Sequence, residues 1–205
     1  MPFNGTSDPD TTRATKGAIR RDVIARRRSQ PRGLARALSR AAVRRAWRLP
    51  ALARASAIAI YLPAQGELDC TPLAVQAWGR GRSVYVPVID GKDLRFAPFH
   101  ARSDLRANRF GLLEPVCARR NLRTARELDV IVAPLVAFDP EGRRLGMGGG
   151  FYDRALAHRQ RFSRARRPHF IALAFELQKH PGLPIERWDV RLDAVVTESA
   201  TYRFA

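Results

Sequence analysis

Between Asp129 and Leu156 the chain reads DVIVAPLVAFDPEGRRLGMGGGFYDRAL, which sets Arg143 and Arg144 just before Gly146, Gly148, Gly149 and Gly150, and Asp153 just after them. Glycines admit positive φ and bring backbone N–H groups close to a ligand, and a helix beginning near Phe151 aims its positive end at the same point. Phosphate suits such a loop, with Arg144 as a charged donor and Asp153 as an oxygen ligand for a divalent cation. The spacing is neither a Walker loop nor a dinucleotide fingerprint, because Phe151 stands where the third glycine would fall. Glycine content alone is equally compatible with a plain flexible loop.

Further groups lie outside that stretch. Thr15 is a plausible N-cap for a helix reaching Arg28, which turns Ile19, Val23 and, less squarely, Ile24 inward. Lys16 and Arg20, four residues apart, then share a neighbouring face and could address one ligand, or could simply be two surface cations. Glu67 follows an apolar run by a few residues and is either a ligand carboxylate or a solvated turn acid. Asp69 is less clearly placed, and Asp189 and Asp193 bracket the last apolar segment as possible loop acids. His100, His158, His169 and His180 have no spacing suited to a metal or a triad, and no G-x-S-x-G elbow occurs.

The elements that must position these groups alternate. Strands are expected at Ala57 to Leu62, Ser83 to Pro87, Leu94 to Phe96, Asp129 to Ala133, Phe170 to Ala174 and Asp193 to Thr197. Helices are expected at Thr71 to Trp78 and Tyr152 to Arg159, and a second N-terminal helix from Gly33 to Trp47 after Pro31. Ala101 to Arg126 has little periodicity and should wrap the surface. The pattern predicts a Rossmann-like α/β/α domain of three layers around a mostly parallel sheet, preceded by N-terminal helices. Ligands gather at the carboxyl ends of strands in such sheets. Residues 1–12 are expected to be a disordered leader, and residues 13–205 one domain.

Composition narrows the function classes. The formal charge is +18, and between Arg13 and Arg54 fourteen basic residues face one acid, Asp22. Such a run can bind nucleic acid, but Trp47 is its sole aromatic and no recognised nucleic-acid motif occurs, so a solvated basic face is the alternative. Cys70 and Cys117 lack any metal or disulfide spacing, which suits a reducing compartment. No segment approaches the roughly 20 apolar residues of a membrane span, and the expected location is the cytoplasm.

Arg144-Leu145-Gly146-x-Gly148-x-Gly150-x-Tyr152-Asp153, preceded by Phe138-Asp139-x-x-Gly142, resembles the motif of the 5-formyltetrahydrofolate cyclo-ligases. Lys16-x-x-Ile19-Arg20, Tyr61-Leu62 through Glu67-Leu68-Asp69, Val86-Pro87 and Asp189-x-x-x-Asp193 follow in that family's order, from about Lys16 to Ser199. The resemblance implies an ATP- and Mg²⁺-dependent ligase acting on a folate as a monomer, with no nucleic-acid partner. It implies an ATP site at Lys16, Arg20, Arg144, Leu145, Gly146, Met147, Gly148, Gly149, Gly150, Phe151 and Tyr152. Leu62, Glu67 and Tyr152 would meet the substrate, Asp153 and Asp189 would hold the metal, and Arg144 and Asp153 would be catalytic. Two positions depart from the pattern: Cys70 replaces a threonine, which puts a role for Thr71 in doubt, and Phe151 replaces a tyrosine. A kinase or ligase of another small molecule, and an arginine-rich nucleic-acid-binding module, are the rival classes.

Overall fold

The computed structural model describes residues 9–161 and 167–204. Three helices come first: α1 (Pro9–Arg28), α2 (Arg32–Ala46) and α3 (Pro50–Arg54). Proline is well tolerated in a first helical turn, and α1 starts at Pro9 rather than at Thr15. Residues 9–12 of the expected leader are therefore helical, and residues 1–8 lie outside the described residues. Pro31 separates α1 from α2, and Pro50 opens α3, an element the periodicity did not announce.

The strands are β1 (Ala57–Ala59), β2 (Ser83–Asp90), β3 (Asp93–Pro98), β4 (Leu105–Ala107), β5 (Leu113–Pro115), β6 (Val130–Ala133), β7 (Ala137–Phe138), β8 (Arg144–Leu145), β9 (His169–Leu173), β10 (Ala194–Val196) and β11 (Thr201–Arg203). Helix α4 (Thr71–Trp78) lies between β1 and β2, and α5 (Phe151–Leu156) and α6 (His158–Arg161) lie between β8 and β9. Seven strands form the central sheet in the order β11-β10-β9-β6-β1-β2-β3. Its inner pairs are parallel, and antiparallel β3 and β11 border it. This is the expected mainly parallel α/β architecture.

Each face of the sheet is covered. Successive residues of a strand point to opposite faces, so Ile58 packs with Ala42, Val43, Leu52 and Leu73 from α2, α3 and α4, whereas Ala59 packs with Leu128 and with Leu156 of α5. All four residues of β6 are buried, as a strand sandwiched between helical layers requires. A smaller cluster of Val23, Val136, Ala137, Leu145 and Leu183 seats α1 over the β7–β8 hairpin, with Ile19 and Ile24 packed against it. The inward stripe of α1 is the one its spacing implies.

Three differences from the expected elements have local causes. Strand β1 stops at Ala59, although Ile60 N–H still donates to the Tyr85 carbonyl at 2.9 Å, because the chain then turns along the sheet's carboxyl edge. The stretch from Ala101 to Arg126 is not wholly irregular. It contains the β4–β5 hairpin, in which the Glu114 carboxylate accepts from Asn108 at 2.7 Å and from Ile89 N–H at 2.9 Å. The helix expected from Tyr152 to Arg159 divides into α5 and α6 around Ala157. On α2, Arg32, Arg36, Arg40 and Arg44 are all exposed, so that part of the positive charge is a solvated face. Among the described residues no helix is long and apolar enough to cross a membrane.

Candidate active site

The β7–β8 hairpin aims Arg144. Asp139, 1% exposed, organises its turn by accepting from the N–H groups of Glu141 and Arg143 through Oδ1 and from Leu183 N–H through Oδ2, each at 3.0 Å. Gly142 adopts φ 75°, and a Cβ there would lie 2.6 Å from the Phe204 ring. Because Leu145 is buried under α1, the preceding side chain is directed the other way. The Arg144 guanidinium lies 5.1 Å from the ring centre of Phe170 and 5.9 Å from that of Tyr152. Its Nη2 donates to Asp153 Oδ1 at 2.5 Å, and the same oxygen accepts from Val190 N–H at 3.0 Å.

The glycine loop arches between that hairpin and α5. Gly148 (φ 101°) and Gly150 (φ 63°) supply the left-handed conformations the arch needs. Arg20 Nε donates to the Gly146 carbonyl at 2.8 Å, and burial lowers the pKa of its guanidinium. Lys16 Nζ stands 3.4 Å from Glu186 Oε1 and 3.8 Å from Asp189 Oδ2. Burial raises the Asp189 carboxyl above its ordinary value, and the negative charge of Asp153 adds to that shift. Lys16, Arg20, Arg144, Asp153, Asp189 and the loop thus converge. Helix α5 has only six residues, so its dipole adds little to the positive field of the three cations.

Other expected residues differ in what they can offer. Met147 is 57% exposed, whereas Leu145, at 4%, has only backbone groups to present to a ligand. Phe151 meets Phe110 edge-on at 6.4 Å and closes one end of the loop. Leu62 packs against the sheet core beside the Glu67 turn. Glu67 Oε2 accepts from Ala64 N–H at 3.0 Å, and burial raises the carboxyl's pKa. Burial, then the charge of Glu67, pushes the Tyr152 phenol above its usual range. Glu67 and Tyr152 are both largely desolvated, and the Tyr152 ring lies beside Arg144.

Some acids hold the fold instead. Asp69 accepts from Thr71 N–H at 2.9 Å and starts α4. Asp193 takes Arg159 at 2.6 Å and Phe170 N–H at 2.7 Å. Two residues at the site escaped the sequence reading, Glu186 and Arg27. Arg27 had a visible signal, since Ile19, Val23 and Arg27 recur every four residues on the buried stripe of α1.

The donor chemistry fits a magnesium ion bound jointly with phosphates. Among the described residues no group of three or more histidines, cysteines or acids forms a complete cage. Mg²⁺ is commonly held by one or two carboxylates together with substrate phosphates and water, and Asp153 and Asp189 are the carboxylates at this site with the chemistry to take that part.

A mainly parallel α/β sheet thus carries a glycine loop flanked by Arg144, Lys16 and Arg20 and by the carboxylates of Asp153 and Asp189. The model of the 5-formyltetrahydrofolate cyclo-ligase family matches residues 12–198. The 5-formyltetrahydrofolate cyclo-ligase of Escherichia coli K12 is 40% identical over 158 residues, 76% of this chain and 85% of that protein. Its Haemophilus influenzae counterpart is 38% identical over 142 residues, 68% of this chain and 74% of that protein. The solution structure of Aquifex aeolicus 5,10-methenyltetrahydrofolate synthetase superposes with a TM-score of 0.77 at 30% identity, covering 92% of each chain. The chain belongs to the 5-formyltetrahydrofolate cyclo-ligase family. It is an ATP-dependent ligase.

Proposed function

We propose that the protein converts 5-formyltetrahydrofolate and ATP to 5,10-methenyltetrahydrofolate, ADP and phosphate, with Mg²⁺ held by Asp153 and Asp189. The observation that supports the residue assignment is that Arg20 holds Gly146 of the loop while Arg144 pairs with Asp153 and Lys16 with Asp189.

The N5-formyl group is an amide, whose carbon resists attack and whose oxygen is a poor leaving group. Its oxygen attacks the γ-phosphorus of ATP, displacing ADP and forming an imidate-like phosphate. N10 of the same folate then bonds to the activated carbon, the C–O bond breaks, phosphate departs and N10 loses its proton. Lys16, Arg20, Arg144 and the loop N–H groups neutralise charge on the transferring group. Asp153 and Asp189 would hold Mg²⁺, which when bound would supply charge neutralisation to the phosphates. Glu67 accepts N–H bonds from the pterin ring, Leu62 and Tyr152 wall it, and Phe151 flanks the loop. No protein nucleophile takes part; the work is positioning and electrostatics.

The protein acts as a cytoplasmic monomer on a small-molecule folate and needs no nucleic acid. Incubation of the purified chain with 5-formyltetrahydrofolate, with and without MgATP, tests the reading by the near-ultraviolet absorbance of the methenyl product. ATP-dependent product is expected. Its absence rejects the proposal.

A further inference from the structure

Glu67 stands on an irregular turn between β1 and α4, so its aim depends on whatever holds that turn. The turn is conformationally demanding: Gln65 adopts φ 50° and Gly66 φ 75°. It lies against the last turn of α1, where a Cβ on Gly66 would sit 3.6 Å from the Arg28 side chain and 3.8 Å from the Arg27 carbonyl. Arg27 is 3% exposed. Its Nη2 donates to the Gln65 carbonyl at 3.0 Å and its Nη1 to the Leu135 carbonyl, in the loop after β6, at 3.3 Å. Its Nε is buried with no hydrogen-bond partner among the described residues. A buried guanidinium satisfied mainly by two carbonyls is an expensive arrangement that an apolar side chain on the same stripe would avoid.

We propose that Arg27 is a positioning residue of the folate subsite, clamping the turn that carries Glu67 onto the loop after β6 and so fixing the carboxylate that meets the pterin ring. The inference rests on the reading of Glu67 as the substrate carboxylate. The planar fork reaches carbonyls of two separate loops at once, which the point charge of a lysine does not reproduce. The positive charge of Arg27 also opposes the burial that pushes the Glu67 carboxyl up. The other titratable groups facing Glu67 are Tyr61, Cys70 and Tyr152, and burial pushes all three upward, so they stay neutral near pH 7. Against that burial the Ala64 N–H and then the charge of Arg27 favour the ionised Glu67 carboxylate.

The test uses the full chain and its variants Arg27→Met, Arg27→Lys and Glu67→Gln. KM for 5-formyltetrahydrofolate and KM for ATP are measured separately, with the pH profile of kcat/KM for the folate. Arg27→Met is expected to raise the folate KM on the order of tenfold to a hundredfold, leave the ATP KM within about twofold, and move the acidic limb to higher pH. Arg27→Lys, which keeps the charge, is expected to restore the acidic limb but not the KM, and it carries the test if the methionine variant does not fold. An unchanged folate KM in Arg27→Lys, or a parallel rise of both KM values, overturns the proposal. Glu67→Gln separates the two failures: if it leaves the folate KM unchanged, the reading of Glu67 itself is wrong. If it raises the folate KM while the Arg27 variants do not, only the clamp fails.

Discussion

Arg144 and Asp153 meet at 2.5 Å from opposite ends of the glycine loop, with side chains only 6% and 15% exposed. The loop between them is therefore an arch whose two feet are tied together by a buried ion pair. Anything that separates the feet alters the arch, and the chemistry assigned to the arch should respond.

Arg144→Lys keeps the charge but loses the fork and the packing against the stacked rings of Phe170 and Tyr152. We expect kcat to fall on the order of a hundredfold. Steady-state kinetics at saturating ATP checks this, and a lysine variant with near-normal kcat would mean that charge alone suffices.

Asp153→Asn removes a metal carboxylate and leaves Arg144 as a buried, unpaired cation. Turnover should disappear at every Mg²⁺ concentration, and stability should drop by about 3 kcal/mol. The two readouts are a magnesium titration of activity and a thermal melt. A variant that titrates with Mg²⁺ like the parent shows that Asp153 is not a ligand.

Gly148→Ala imposes a side chain at φ 101°, with a Cβ 3.5 Å from the Arg20 guanidinium. Backbone strain of about 1–2 kcal/mol, expressed in the nucleotide-bound loop, would raise the ATP KM roughly fivefold to thirtyfold. The folate KM should hold. Equal changes in both constants would place the loop's role elsewhere.

Glu67→Gln should exchange activity for stability. Burial raises the Glu67 carboxyl, so the folded protein binds its proton more tightly than the unfolded chain does, and the parent loses stability as pH rises from the ordinary glutamate range to the raised value. The glutamine variant has no such loss. Its melting temperature should match the parent's at acid pH and exceed it at neutral pH, while its folate KM rises. A variant no more stable than the parent at pH 7 would show that Glu67 carries no burial strain.

Much of the architecture was legible because it is local. Helix α4 keeps its expected bounds, Thr71–Trp78, since Pro72 lies in its first turn and Gly79 follows its last. The apolar run of β6 reads directly as a strand covered on both faces. Strand β1 read too long because Ile60 and Tyr61 continue the apolar run into the core, while the paired register ends at Ala59. The β4–β5 hairpin was illegible, because Leu105–Ala107 and Leu113–Pro115 lack alternation and Glu114 ties the hairpin to β2. At the site, the cradle announces itself in contiguous glycines and flanking charges. Glu186 comes to Lys16 from 170 residues away and Arg27 reaches Leu135 from 108 away, pairings that no window of sequence contains.

One rigid rod, α1, presents Lys16 to Asp189, Arg20 to the loop and Arg27 to the Glu67 turn. From Lys16 to Arg27 is about 16 Å along the axis at the usual helical rise. The angular phase between the two ends is thus a built-in gauge of how nucleotide and folate are set relative to each other. Inserting a single alanine between Arg20 and Arg27 would swing the far end by about 100° without altering any side chain that touches either substrate. The two binding events would go out of alignment while the arginines and the lysine all remained present.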